Sequence, residues 1–299
     1  MPAERPFVDT PPGPGDATLD AAIRAAVEFG LPAPQALRTG MNALYTCGDV
    51  IVRVGRTNAP AETAVVLAHH LAGAGIPVPV PASERAVVVG ELSVTAWERI
   101  ESSGGPIDWA AVGRSVARLH EFRPETLPAA VPLPLPTSFA WWRFDAMLDD
   151  AGPDLDVPAQ AGLRAAIERH RGWLDPERDE LVVCHGDVHP GNMMMTTEGV
   201  VLLDWDLLCL GPRGWDHAPM MTWATRWGGR SGEYESFAVG YGTSMRGDRQ
   251  AEAIAELRLV AATLMRVLAG RRDPAARHEA ERRLQFWRDE PDAPQWTAQ

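Results

Sequence analysis

The sequence predicts an α+β chain of two lobes, β-rich towards the N-terminus and mainly helical towards the C-terminus. Three observations predict this. Short β-rich runs are concentrated before residue 100, helical periods dominate after it, and the stretch "ESSGGP" separates the two regimes. The expected division is a loose Pro- and Gly-rich arm over 1–16, a first lobe over 17–100 and a second lobe over 101–299. With 299 residues, 45% of them hydrophobic, the chain has enough apolar mass to give both lobes a core.

The elements follow in order. "DATLDAAIRAAVEFGL" reads as a helix, with Leu19, Ala22, Ile23, Ala26 and Val27 at helical spacing and Gly30 and Pro32 as its stop. "NALYTC" and "VIVRVG" flank a Gly-Asp pair and read as a hairpin. "PAETAVVLAHHLAGAG" is helical, with Pro60 near its start and glycines at its end. "IPVPVPA", "RAVVVGE" and "LSVTAWERI" read as further strands. Beyond the linker, "DWAAVGRSVARLHEF" carries Trp109, Val112, Val116 and Leu119 on one stripe. "RPETLPAAVPLPLPTS" is too proline-rich for a helix or a central strand. Helices are expected around "FAWWRFDAMLDDAG" and "PAQAGLRAAIERHRGWL", and again through the last third, where Ile254, Leu257, Val260, Ala261 and Leu264 form a core-facing stripe.

Composition narrows the partners. A net charge of -12 makes the chain a poor binder of nucleic-acid backbones, whose sequence-independent affinity comes from Lys and Arg; it matches a cationic small molecule better, although charge by itself reads first as solubility. The three cysteines, Cys47, Cys184 and Cys209, form no Cys-x-x-Cys pair. The first residues contain no apolar core of a signal peptide, and no run is long enough to span a bilayer. A cytoplasmic protein without membrane or nucleic-acid partners is expected, of unspecified oligomeric state.

The chemistry concentrates in "VVCHGDVHPGNMMMTTEGVVLLDWD". His185, Asp187 and His189 alternate as metal ligands on a strand would, yet Pro190 and Gly191 break any strand there, and the spacing matches neither His-Glu-x-x-His nor a Cys/His ribbon. His185 and His189 are therefore read as supports of the loop. A phosphoryl-transfer loop places His, Asp and Asn at fixed offsets, the Asp taking the substrate hydroxyl proton and the Asn holding Mg²⁺, and a second Asp downstream holds metal as well. "HGDVHPGN" sets His185, Asp187 and Asn192 at those offsets, and "MMMTTEGVVLLDW" reads as strand, turn and strand delivering Asp204 at a strand end. Asp187 is thus the candidate base, and Asn192 and Asp204 are candidate Mg²⁺ ligands, with the hairpin expected to fold them together.

"HGDVHPGN" followed by "LLDWD" resembles the aminoglycoside phosphotransferase family, small-molecule kinases with a protein-kinase-like two-lobed fold. "GAGIPVPVP", "VARLHEF" and "LGPRGWDHAPM" resemble further segments of that family, so the resemblance covers most of the chain. It implies ATP or GTP as co-substrate, Mg²⁺ as cofactor, and the hydroxyl of a small molecule, an aminoglycoside or another antibiotic, as acceptor. The alternatives kept open are a kinase of the same fold acting on a sugar, a choline-like amine or homoserine, and a non-catalytic nucleotide-binding sensor or scaffold.

On the nucleotide side, Arg53 in "DVIVRVG" is the cation expected on the phosphates, and Glu62, the only acid in the helix that follows, is its expected partner. Gly40 stands at the turn of the hairpin expected to cover the phosphates, and Trp97, Glu98 and Arg99 are expected to offer backbone groups to the base. Asp206, Glu252 and Glu256 are candidate contacts to a cationic acceptor. Asp216 reads as a helix N-cap, and most of the 11 tryptophans read as core.

Overall fold

The computed structural model describes residues 12–13, 15–56 and 60–297, so nearly all of the expected arm over 1–16 lies outside the described residues. Two compact units emerge. One comprises the described part of Met1–Asp108 with Phe122–Pro134 and Pro190–Leu207; the other comprises Trp109–Glu121, Leu135–His189 and the described part of Leu208–Gln299.

In the first unit, five antiparallel strands lie in the order β1 (Gln35–Thr39), β2 (Ala43–Cys47), β3 (Val50–Arg56), β5 (Leu92–Glu98), β4 (Val87–Val89). The β2–β3 hairpin turns at Gly48, whose φ of 65° is left-handed and suits a residue without Cβ. The expected strand "IPVPVPA" forms only a single bridge, Pro81 to Trp97. Prolines at 77, 79 and 81 have no N–H, so this segment lies along β5 through few bonds, Glu98 N–H to the Val80 carbonyl (2.8 Å) and Ala82 N–H to the Ala96 carbonyl (2.9 Å).

Helix α1 (Gly15–Phe29) lies on the sheet through a different face from the expected stripe. Ala21, Ala22, Ala25 and Ala26 are buried with Val52, Val54 and Val94, and the Thr18 hydroxyl shares a 2.7 Å hydrogen bond with the Tyr45 phenol. Leu19, Ile23 and Val27 are exposed. Small side chains let the helix backbone approach the strands closely, so Ala22 and Ala26 belong to the core while their larger neighbours do not. α2 (Thr63–Gly73) and a short hairpin, β7 (Met193–Met195) and β8 (Val200–Leu202), complete the unit.

The second unit holds α3 (Trp109–His120), α4 (Phe144–Ala151), α5 (Val157–Arg169), α6 (Gly214–Arg226), α7 (Glu233–Tyr241), α8 (Arg249–Ala269) and α9 (Pro274–Trp287), and the paired strands β6 (Val182–Cys184) and β9 (Cys209–Gly211). α3 and α7 approach so closely that a Cβ on Gly113 would stand 2.1 Å from the Phe237 carbonyl oxygen, and one on Gly240 would stand 1.9 Å from that of Ala110. Asp156 and Asp248 cap α5 and α8 by accepting the N–H groups of Ala159 (2.9 Å) and Ala251 (2.8 Å). "FAWWRFDAMLDDAG" is a 3-10 turn at Ala140–Trp142 followed by α4, broken at Arg143, instead of one helix. Trp109, Trp141, Trp142, Trp215, Trp287 and Trp296 are buried, as expected of core aromatics.

Candidate active site

Asp187 lies in the loop that leaves β6, within the second unit. Cys184, His185 and Val188 around it are fully buried, so the loop cannot rely on water to satisfy its main chain. Asp216 supplies the acceptors: its Oδ2 takes the His185 N–H and its Oδ1 the Gly186 N–H, both at 2.8 Å. Asp216 is the third residue of α6 and is preceded by Arg213 as N-cap, so the sequence reading of Asp216 as a cap is corrected: its carboxylate serves the loop. His120 Nε2 lies 3.1 Å from Asp216 Oδ2, and its Nδ1 lies 2.9 Å from the Tyr241 hydroxyl. Burial works against the His120 charge, but the bonds to Asp216 and Cys184 outweigh it and raise the imidazole to about 9. The same His120 bond and charge, working against burial, hold the Asp216 carboxyl below its ordinary value.

His185 and His189 both contact Asp187. His185 Nδ1 accepts the Asp187 N–H at 3.2 Å. His189 Nε2 lies 3.3 Å from Asp187 Oδ2, and its ring stacks on Trp223 at 6.0 Å. The other Asp187 oxygen, Oδ1, accepts from Arg258 Nη2 at 2.8 Å, while Arg258 Nη1 donates to the Gly186 carbonyl at 3.1 Å. Burial favours protonation of Asp187, but His189, then Arg258 and His185, outweigh it and hold the carboxyl well below the usual range. It is therefore an ionised acceptor at neutral pH.

The candidates for metal and nucleotide belong to the first unit, as does Asp206, whereas Glu252 and Glu256 belong to the second. The β7–β8 hairpin pairs Met193 with Leu202, and the Leu203 N–H donates to the Asn192 carbonyl at 2.8 Å. This register brings Asn192 and Asp204 to the same end of the hairpin. Asp204 has a φ of 57°, a left-handed conformation unusual outside glycine, and its side chain is 46% exposed. The Asn192 amide and the Asp204 carboxylate, carried at the same end of the hairpin, are the kinds of oxygen donor that Mg²⁺ takes along with phosphates and water, so these residues fit that ion. The buried group His120, Cys184 and Asp216 also brings three potential ligand atoms within 4.8 Å of one another. Both imidazole nitrogens and both carboxylate oxygens there are already engaged by protein groups, which makes it a hydrogen-bonded brace.

Arg53, on β3, forms an ion pair with Asp206 and approaches Asp204 at 3.9 Å. Burial weakens its charge, yet Asp206 and then Asp204 more than restore it. Asn42 Nδ2 also donates to Asp206 at 3.3 Å, in the space that Gly55 leaves, since a Cβ on Gly55 would stand 2.3 Å from Asn42 Oδ1. Glu62 stands at the N-cap of α2, and no ion pair joins it to Arg53 among the described residues; Asp206 holds the guanidinium instead. Gly40 turns the β1–β2 hairpin, its N–H bonded to the Asn42 carbonyl at 3.0 Å.

Trp97 donates its indole N–H to Thr95 Oγ1 at 2.8 Å. The N–H groups of Glu98 and Arg99 go to the carbonyls of Val80 (2.8 Å) and Asp49 (2.9 Å), so these two donors are committed to the fold. Glu98 and Arg99 border a cleft of about 480 Å³, with the Thr196–Val201 end of the hairpin on its other wall.

The acids expected to meet a cationic acceptor are engaged elsewhere. Glu256 pairs with Arg169 (2.5 Å) and His170 (2.6 Å), and Glu252 accepts the Gly247 N–H (3.1 Å). Sequence reasoning missed Asn42 and Arg258. Asn42 carried no signal, whereas Arg258 did: it is a cation between Leu257 and Leu259 on a helix whose neighbouring positions are buried.

Residues 36–257 match the phosphotransferase enzyme family. An uncharacterized protein of Deinococcus radiodurans is 34% identical over 211 residues, a match spanning 62% of this chain and 60% of the length of that relative. Among solved structures, an aminoglycoside 2'-phosphotransferase bound to GDP superposes with a TM-score of 0.67 at 16% identity, covering 91% of this chain and 98% of its own. A spectinomycin phosphotransferase in complex with ADP and spectinomycin gives 0.66 at 14%, covering 89% and 93%. A choline/ethanolamine kinase family protein from Mesorhizobium loti gives 0.58 at 19%, covering 92% and 94%. At these identities the likeness establishes a shared kinase-like fold.

Proposed function

Because the chain belongs to the phosphotransferase enzyme family, we propose that it transfers the γ-phosphoryl group of ATP or GTP to a hydroxyl of a small molecule. The observation that carries this reading is the hairpin register that sets Asn192 beside Asp204, five residues after an ionised Asp187. Asp187 orients the acceptor hydroxyl and takes its proton. Arg53, held by Asp206, whose carboxylate also accepts from Asn42, grips phosphate oxygens with a cation that stays charged throughout. Asn192 and Asp204 hold Mg²⁺, which when bound neutralises charge on the phosphates. Main-chain groups near Glu98 and Arg99 read the base; since both N–H groups are committed, carbonyls and the N–H groups that follow do so. The nucleotides in the solved relatives support a nucleotide co-substrate.

We place the enzyme in the cytoplasm, where nucleoside triphosphates are supplied. Three free buried cysteines fit a reducing compartment, and no helix among the described residues is long and apolar enough to cross a membrane.

A specific observation bears on the acceptor. The side chains that touch Asp187 are cationic or aromatic-supported, and Glu252 and Glu256 are spent on other partners. This favours a metabolite or a weakly charged antibiotic over a polycationic aminoglycoside. The test is an acceptor panel with Mg-ATP and Mg-GTP, run on the parent protein and on Asp187→Asn. The parent is expected to phosphorylate a neutral or singly charged acceptor, and the variant to bind nucleotide with no turnover. Retained turnover in Asp187→Asn would remove the assignment of the base.

A further inference from the structure

Gly186, the residue before Asp187, has a φ of 92°, a backbone conformation that residues with a Cβ rarely adopt. Both polar groups of its main chain are tied. The N–H goes to Asp216 on α6, and the carbonyl goes to Arg258 on α8. Arg258 then spends its other terminal nitrogen on Asp187 itself, so one planar guanidinium references both the peptide and the carboxylate that follows it. The plane has its own support: its centre lies 4.9 Å from the Trp215 ring, which is fully buried, and 5.7 Å from the Trp141 ring. Only 13% of the side chain is exposed.

We propose that Arg258 is a positioning residue for phosphoryl transfer, fixing the direction in which Asp187 presents its carboxylate to the acceptor hydroxyl. The inference rests on the function proposed above. With Oδ1 held by Arg258 and His189 beside Oδ2, the acceptor proton passes to the remaining lone pair of Oδ2. As it does so, the acceptor oxygen bonds to the γ-phosphorus and the bond from that phosphorus to the bridging oxygen breaks, releasing the nucleoside diphosphate. Arg258 contributes through geometry, because a fork donates to two acceptors along fixed directions. A lysine ammonium keeps the charge but lacks the fork.

The test uses Arg258→Lys and Arg258→Met in the full chain, each alone and combined with Asp187→Asn. Steady-state kinetics on the single variants should show Arg258→Lys with nucleotide KM within about twofold of the parent and kcat lower by about 10- to 100-fold, as displacement of a reacting group by roughly an ångström allows. Arg258→Met should fall further. A folded Arg258→Lys whose kcat stays within about threefold of the parent overturns the proposal, and so does a kcat loss matched by an equal rise in nucleotide KM. Urea midpoints of the four-member cycle of Arg258→Lys with Asp187→Asn give a readout that needs no activity: the two losses should be coupled, and additive losses overturn the grip itself. A parent protein that shows this coupling but transfers no phosphate across the acceptor panel would sink the functional reading while leaving the grip standing. Should Arg258→Met fail to fold, Arg258→Lys carries every arm of the test.

Discussion

Replacing Asp216 is the most informative perturbation of the loop. Its carboxylate is fully buried and accepts two main-chain N–H groups at 2.8 Å, with His120 Nε2 at 3.1 Å. Asp216→Ala leaves three buried donors without acceptors. Each orphaned group costs about 1–3 kcal/mol, and breaking one partner of a buried ion pair costs about 3–5 kcal/mol. Water entering the vacated space recovers part of this, so a loss of about 4 kcal/mol is expected, a large share of the total stability of roughly 5–15 kcal/mol typical of such proteins. Asp216→Asn keeps the shape and one acceptor oxygen but turns an N–H₂ group towards a backbone N–H, and a loss of about 2 kcal/mol is expected. Urea unfolding followed by tryptophan fluorescence, together with kcat measured where the variant is fully folded, checks both. If Asp216→Asn costs less than about 0.5 kcal/mol and leaves kcat unchanged, the assignment of Asp216 as the anchor of the loop is wrong.

Three further outcomes are expected. Asp206→Asn should raise the nucleotide KM by about three- to tenfold while changing stability by less than about 1 kcal/mol, because the Arg53 pair is partly exposed; Glu62→Gln should leave the KM within about twofold, and the reverse ranking would restore Glu62 as the partner. Gly113→Ala should destabilise the second unit by about 1–3 kcal/mol or more, since its Cβ meets a carbonyl instead of a flexible side chain; an unchanged thermal midpoint would contradict the close α3–α7 approach. The combined contribution of His120 and His217 to stability should be greatest near pH 6.5, the value for an unfolded histidine. His120, raised to about 9, stabilises below that point and loses its contribution as pH rises from there through 9. His217, lowered to about 4 by burial and then by the His120 charge, must stay neutral in the fold, so stability falls as pH drops from 6.5 towards 4. His120→Gln should flatten the alkaline side and His217→Gln the acid side in a pH series of urea midpoints.

Much of this was legible beforehand because it is local. The His185, Asp187 and Asn192 offsets, the hairpin leading to Asp204, and the Gly48 turn each depend on a few consecutive residues, whose strand period and turn chemistry are written in the chain. The failures have physical causes. The expected α1 stripe sets Leu19, Ile23 and Val27 beside Ala22 and Ala26, whereas close packing on the sheet buries only the alanines of that set. The Pro-rich run before β4 had a strand-like composition but lacked the N–H groups a strand needs.

Sequence by itself determined which groups are candidates for chemistry and in what order the elements come, because periodicity, turn residues and motif spacing act over short distances. Tertiary structure decided which charge meets which. Arg53 finds Asp206 across 153 positions instead of the nearby Glu62, and Arg258 reaches Asp187 across 71. His120 reaches Asp216 across 96. An acid or base has no period that names its partner. The pairing is fixed only when folding buries both groups and makes an uncompensated charge costly.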